Sequence, residues 1–422
     1  MITVIQNIKI NTKDNELIPQ EIRINNGRIE AIGDQVSTQD ATLIDGQGCV
    51  ALPGFVDVHV HFREPGFEAK ETIKTGALSA AMGGFTTVCA MPNTNPVIDS
   101  KETLERVNAI ARRDACVNVL SYAAITKGLR SQELTDFEAL KEAGCFALTN
   151  DGVGVQEAGV MYRAMLEAKR VGLPLVAHTE DDSLLFGGVM HEGIQNKKLG
   201  LPGMLGLTES TQIARDILLA KKTGVHYHVC HVSDEDSVEM IRLGKKMGVH
   251  VSAEVTPHHL LLVDEDIKED DANYKMNPPL RSKRDQNALI KGLLDGTLDF
   301  IATDHAPHTH EEKSGGFMTS PFGIVGLETA FPLMYSYFVK PGVMTLHQLI
   351  EFMSTKPAQT FGLDCGVLEV GAVCDMVLVD LNQKSALEAP KGSKSSNTPF
   401  IGTTVYGTIK KTFVKGSCVY ES

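Results

Sequence analysis

From Phe55 onward, short apolar runs alternate with longer stretches in which apolar and polar positions recur at helical spacing. The runs are 55–59, 86–91, 117–123, 145–149, 173–178, 226–231, 249–254 and 300–303, each the length of a buried strand and too short for a helix. The stretches between them are 71–83, 101–113, 135–144, 158–172, 208–224, 234–248 and 283–296. Six of the seven close on a glycine (Gly83, Gly144, Gly172, Gly224, Gly248, Gly296), the residue that most readily takes the left-handed turn ending a helix. Eight strands with helical stretches between them predict an α/β fold, a (β/α)8 TIM-like barrel.

The flanks follow a different period. Residues 1 to about 50 alternate apolar and polar positions around a tight turn at Asn25-Asn26-Gly27, and 372–380 and 412–420 repeat that pattern near the other end. Neither flank holds enough strands for a stable sheet of its own, so the two are expected to pair into one small β domain. The expected division is 1–52 with 365–422 for that domain and 53–364 for the barrel. Two polar tracts read as loops: Lys391 to Lys394, solvated, and His305 to Ser320, a mobile segment closing over the site.

Composition narrows the function classes. At 422 residues, 42% apolar and 22% charged, the chain can bury a large core as a soluble globular protein. A net charge of -13 argues against nucleic acid, whose phosphates require basic patches. No apolar run is long enough for a bilayer, and Met1-Ile2-Thr3-Val4 lacks the layout of a signal peptide, so the cytoplasm is the expected compartment. The eight cysteines are scattered without a paired motif and read as small core residues. Cys230 sits beside His231, but strand alternation turns it to the opposite face.

In a barrel of this kind the chemistry lies at the C-terminal ends of the strands. His59 and His61 end the first run, on one face because they are two residues apart. The fourth run leads into Asp151, the fifth ends at His178, the sixth at His231, and the eighth leads into Asp304. One such histidine is ordinarily structural. Four histidines and two aspartates converging on one barrel mouth form a metal-ligand set suited to zinc, with Asp151 the candidate bridge between two ions. His226 and His228, farther from the strand end or facing away, read as non-ligands, and His258-His259 as a packing pair.

The segments Asp57-Val58-His59-Val60-His61-Phe62-Arg63-Glu64-Pro65-Gly66, Met91-Pro92-Asn93-Thr94-Asn95-Pro96, Met276-Asn277-Pro278-Pro279-Leu280-Arg281 and Ala302-Thr303-Asp304-His305-Ala306-Pro307-His308 resemble dihydroorotases of the bacterial class I type, in the amidohydrolase superfamily. The resemblance covers essentially the whole chain. It implies reversible, zinc-dependent interconversion of N-carbamoyl-L-aspartate and L-dihydroorotate in pyrimidine synthesis. By motif, it places His59, His61, Asp151, His178, His231 and Asp304 on two zinc ions per subunit, with Asp151 bridging. It makes a metal-bridged hydroxide the nucleophile and Asp304 the catalytic proton shuttle. His61, Arg63, Asn93, Asn277, His308, Phe322 and Gly323 match substrate-binding positions, with Arg63, Asn93 and His308 on the substrate carboxylate. Many superfamily members bridge with a carboxylated lysine; Phe146-Ala147-Leu148-Thr149-Asn150-Asp151 has none. A homodimer, and association with aspartate transcarbamoylase, are further implications. The rival readings are a hydantoinase or allantoinase, which needs no carboxylate clamp, and a non-catalytic assembly partner of that transcarbamoylase, which should have lost ligands.

Overall fold

A computed structural model describes residues 2–422. The eight apolar runs form parallel strands: β1 (Phe55–Val60), β2 (Phe85–Ala90), β3 (Asn118–Ser121, resumed at Ala123–Ala124), β4 (Leu148–Thr149), β5 (Leu175–Ala177), β6 (Tyr227–Val229), β7 (Val251–Val255) and β8 (Phe300–Ile301). Each pairs with its successor. The ring closes where His305, just past β8, bridges Val60 of β1 and accepts a 2.8 Å hydrogen bond from the amide of His61. Val58, Cys89, Tyr122, Ala147, Val176, Cys230 and Phe300 fill a buried cluster at the barrel's centre, a packed core rather than a channel.

The predicted helices are present as Ile73–Met82, Lys101–Asp114, Phe137–Glu142, Ala158–Val171, Leu207–Thr223, Glu235–Lys246 and Lys283–Leu294. Their starts follow from capping residues: Ser100, Asp136, Asp234 and Ser282 each accept a backbone N–H of the first turn. Gly172 and Gly224 end their helices in the left-handed conformation. Gly83 does not, having φ of -81°; it is needed because a Cβ there would lie 2.2 Å from the carbonyl oxygen of Leu327. Helical segments between Ala330 and Phe361, which the sequence pattern did not single out, complete the outer layer. None of the described helices is long and apolar enough to cross a membrane.

The two flanks share one sheet. Met376–Ala386 pairs antiparallel with Val50–Pro53, joining Ser417–Glu421 and Thr404–Val414 on one side to Ile2–Asn11, Leu17–Asn25 and Arg28–Gly33 on the other. The hairpin at Asn26-Gly27 has positive φ at both residues, as a two-residue turn of this hand requires. Ile5, Ile8, Ile22, Ile24, Met376 and Phe413 make the sheet's own core.

Both tracts read as loops are more ordered than their composition implied. His305 to Ser320 contains the helices His310–Lys313 and Gly316–Thr319, with Phe317 buried among Ile267, Met276, Leu280 and Leu333. Lys313 is buried, its ammonium donating to the carbonyls of Lys275 (3.1 Å), Pro321 (3.0 Å) and Gly323 (3.0 Å). Burial lowers its pKa to about 7. In the tract Lys391 to Lys394, the lysine at 391 is exposed, yet Ser393 is buried and bonded to the Glu71 carboxylate. Both departures share a cause: polar groups that look solvated in sequence pair with backbone and carboxylates supplied from elsewhere.

Candidate metal centre and active site

The six predicted ligands meet at the C-terminal mouth of the barrel, all buried. His59 Nε2 lies 3.3 Å from Asp151 Oδ1 and 3.3 Å from Asp304 Oδ1. His61 Nε2 is 3.4 Å from Asp151 Oδ2 and 3.0 Å from Asp304 Oδ1. On the other side, His178 Nδ1 and His231 Nε2 are each 3.7 Å from Asp151 Oδ1 and 2.9 Å from one another. Two ligand groups result, His59 with His61 and Asp151, and His178 with His231 and Asp151, within each of which the donor atoms lie inside 4.8 Å. Asp151 belongs to both. A third group joins Asp304 to His59 and His231.

These residues fit divalent cations. His59 Nε2 and Asp151 Oδ1 are buried without a hydrogen-bond partner, and such orphaned atoms are rare in a folded protein unless something else satisfies them. Imidazole with carboxylate is the donor set of zinc and related ions. Burial pushes the Asp151 and Asp304 carboxyls up, but the facing imidazoles, His59 first, outweigh it and hold both below the usual carboxylate range. Three site residues, Arg63, His231 and Asp304, have φ of 61°, 30° and 50°, a left-handed conformation that non-glycine residues keep only where surrounding contacts enforce it.

A second ring of groups orients the ligands, and sequence reasoning missed its chief member. Glu254, next to last in β7, is buried, with Oε1 2.5 Å from His59 Nδ1 and Oε2 3.1 Å from His228 Nε2. Burial raises its pKa, but the His59 charge and the bonds from His228 and His59 bring it down to about 2. A lone glutamate closing an apolar run was the available signal. His228, read as a non-ligand, thus stands behind His59 through Glu254, braced on its far side by Ser252 at 2.8 Å. Asp57 accepts from the amides of His59 and Thr303 and from the Thr303 hydroxyl, tying β1 to the turn that carries Asp304. Asn277 donates to Glu180 at 2.6 Å, and Glu180 stands 3.8 Å from His178 Nε2. Of the other histidines, His259 packs as expected, with its ring between the Thr256 hydroxyl (2.8 Å) and the Pro278 carbonyl (3.0 Å). Cys230, expected to face away from the site, instead has its sulfur within 4.8 Å of donor atoms of His59 and Glu254, because β6 ends at Val229 and strand alternation no longer holds at Cys230 and His231; burial pushes its thiol far up, which leaves it a poor nucleophile.

A cavity of about 280 Å³ opens over the cluster. Arg63, Asn93, Asn277, His308, Phe322 and Gly323 line it together with His61, Asp151, His178, His231 and Asp304. Arg63 has no carboxylate partner among the described residues. Glu64 instead accepts from the Ile73 amide and Glu68 from the Gly66 amide. The guanidinium is anchored through Nε on the Pro307 carbonyl (3.2 Å), with one terminal nitrogen 3.3 Å from His308 Nε2. His308 is neutral: burial, with Arg63, Lys70 and Lys313 nearby, lowers its pKa to about 2. Asn93 Oδ1 lies 2.9 Å from His61 Nδ1. An apolar wall, a neutral imidazole and an unpaired guanidinium suit a small anionic ligand.

Comparison with known proteins places this site in context. Residues 48–237 match a family described as Dihydro-orotase-like. The chain is 58% identical over 423 residues to the dihydroorotase of Enterococcus faecalis (strain ATCC 700802 / V583), covering 100% of this chain and 99% of the relative. It is 56% identical over 411 residues to that of Bacillus caldolyticus, covering 97% and 96%. Among solved structures, the L-hydantoinase (dihydropyrimidinase) from Arthrobacter aurescens superimposes with a TM-score of 0.87 at 26% identity, covering 100% of this chain and 96% of that one. At more than half identity from end to end, and on an amidohydrolase barrel whose mouth gathers a metal-ligand cluster, the chain belongs to the dihydroorotase family of metal-dependent cyclic amidohydrolases.

Proposed function

We propose that the protein interconverts N-carbamoyl-L-aspartate and L-dihydroorotate, a ring-closing step of pyrimidine biosynthesis, with two zinc ions per subunit. The reading rests chiefly on the guanidinium of Arg63, without a carboxylate partner among the described residues, in the cavity lined by five of the six clustered residues. Dihydroorotate carries a carboxylate that hydantoin lacks, so an arginine fork without a carboxylate partner in that cavity favours the former over the reaction named for the structural neighbours.

His59, His61 and Asp304 would hold one ion, His178 and His231 the other, with Asp151 shared. When bound, the ions would supply a water of lowered pKa and polarise the reacting carbonyl. The chain's own groups do the rest. Asp304, kept ionised by the imidazoles around it, accepts the proton of the attacking water and delivers it to the ring nitrogen as the C–N bond breaks. In cyclisation it takes the proton from the ureido nitrogen and gives it to the departing water. Arg63, Asn93 and His308 bind the carboxylate, and Asn277 and the backbone of Phe322 and Gly323 fix the ring, so that its carbonyl meets the cluster in one orientation.

The test is to assay purified protein with N-carbamoyl-L-aspartate, L-dihydroorotate and hydantoin, alongside elemental analysis. Turnover of the first two with about two zinc ions per chain is expected by the general stoichiometry of such sites. Turnover of hydantoin alone would overturn the reading. A homodimer is expected by light scattering.

A further inference from the structure

The strand Met376–Ala386 and the strand Thr404–Val414 of the flank sheet are joined by a long connection, and part of it, 391–398, leaves the sheet to lie along the barrel. It is tied down at every step. Glu328 accepts from the amides of Lys391 (2.9 Å), Gly392 (3.0 Å) and Ser393 (3.2 Å). Gly392 passes so close to the helix Ile73–Met82 that a Cβ would lie 2.6 Å from the backbone of Ser79. Glu71, buried, takes the Ser393 hydroxyl and the Lys394 amide, and the Ser395 hydroxyl donates to the Lys70 carbonyl at 2.8 Å. The segment then delivers a buried asparagine, Asn397, to the barrel mouth.

All three hydrogen bonds of the Asn397 amide fall on the substrate side of the cavity. Oδ1 accepts from the His308 amide at 3.1 Å, while Nδ2 donates to the carbonyls of Ala306 (3.1 Å) and Gly323 (3.0 Å). Its own carbonyl accepts from the Val325 amide at 3.0 Å. One N–H and two carbonyls leave the amide a single orientation, because the reverse would set an NH2 against an N–H and an oxygen against two carbonyls. Asn397 therefore staples the segment carrying His308 to the segment carrying Phe322 and Gly323, although it comes from the appended sheet's side of the chain.

We propose that Asn397 is a positioning residue for substrate: it sets the spacing between the His308 side and the Phe322–Gly323 side of the cavity. This rests on the reading of those residues as substrate contacts. The flank domain then takes part in recognition without touching the substrate.

The test uses the full-length metal-loaded enzyme and L-dihydroorotate. Asn397→Asp keeps the shape and the acceptor for the His308 amide but places a carboxylate against two carbonyl oxygens; Asn397→Ala removes all three bonds. The expected result is a KM raised about tenfold or more in either variant, the scale of losing hydrogen bonds that hold a binding surface, with kcat changed less and metal content unchanged. His308→Ala serves as the reference. In the double variant the two increases in KM should be less than multiplicative, because the imidazole that Asn397 positions through the backbone amide at 308 is already gone. A wild-type KM in a folded Asn397 variant, a fall in kcat alone, or multiplicative increases in the double variant would overturn the inference. So would collapse of both variants, which would make Asn397 a residue of general stability. A wild-type KM in His308→Ala would instead remove that residue from the carboxylate clamp, and the Asn397 variants would still report on the Gly323 side.

Discussion

Nδ1 of His59 stands 2.5 Å from Oε1 of Glu254, whose other oxygen takes Nε2 of His228 at 3.1 Å. Donation from Nδ1 fixes the tautomer in which Nε2 presents its lone pair to the cluster. Glu254→Gln keeps the shape and removes the charge. A loss of metal affinity of about ten- to a hundredfold is expected, as for other partners behind a ligating histidine. Chelator competition measures it, and unchanged affinity would make Glu254 a packing residue.

Asp304 is the sole group assigned to move a proton. Asp304→Asn should lower kcat by roughly two to four orders of magnitude, the usual range for a lost general acid–base group, in both directions. Circular dichroism and Tm would show whether the fold persists. Wild-type turnover in a folded variant would sink the mechanism.

Arg63→Lys retains charge but not the planar fork, and the bond from the arginine Nε to the Pro307 carbonyl is lost with it. KM for both substrates should rise about tenfold or more, the scale of a lost charge-assisted hydrogen bond. An unchanged KM for dihydroorotate would place the carboxylate clamp elsewhere.

Asp151 joins the two ligand groups through a side chain that needs no modification. Asp151→Ala should lower metal content, since two cations so close repel without a shared anion. Reconstitution of metal-free wild-type protein should be indifferent to bicarbonate. A bicarbonate requirement would point to a carboxylated lysine and overturn the assignment.

Away from the metal site, Asp234 caps the helix Glu235–Lys246 with Oδ1 2.7 Å from the Ser237 amide, while Oδ2 is buried and unpartnered. Burial, then the neighbouring Glu209, raises its pKa from 3.8 to about 7. Between those values the folded state binds more protons than the unfolded chain, so this group's contribution to stability falls as pH rises through the window and stays low above it. Asn caps a helix as well as Asp does and carries no charge. Asp234→Asn should therefore be more stable than wild type at pH 8 by about 1 kcal/mol or more, a discounted fraction of the pKa shift because Arg281 loses a neighbour. The advantage should shrink by pH 5.5. Paired thermal melts at the two pH values measure this, and a variant less stable at pH 8 would contradict it.

The ligand cluster was legible in the sequence because a barrel places its chemistry at strand ends, and the residue ending each apolar run can be read without knowing the fold in detail. His59 and His61 show this most directly: a spacing of two on a strand puts them on one face. The same alternation set Cys230 and His228 aside, and there it misled: the strand ends before Cys230, whose sulfur lies within 4.8 Å of donor atoms of His59 and Glu254, and His228 meets Glu254. Glu254 passed unnoticed because, although it closes the apolar run 249–254, its role depends on which histidine stands opposite.

By itself, then, the sequence determined the alternation of strand and helix, the sharing of one sheet by the two flanks, and which six histidines and aspartates meet at the barrel mouth. All of these follow from periodicities and terminations that are local along the chain. Only the tertiary structure decided which groups stand behind the ligands and what holds the substrate side in register. His59 and Glu254 are 195 residues apart in sequence, and Asn397 and the His308 amide 89. Lys313, Ser393 and Ser395, in tracts polar enough to read as solvated loop, are buried because carbonyls and carboxylates from distant segments satisfy them. Hydrogen bonding between polar groups has no period in sequence; it is fixed by burial, which requires each polar group to find whatever partner the completed fold brings within reach.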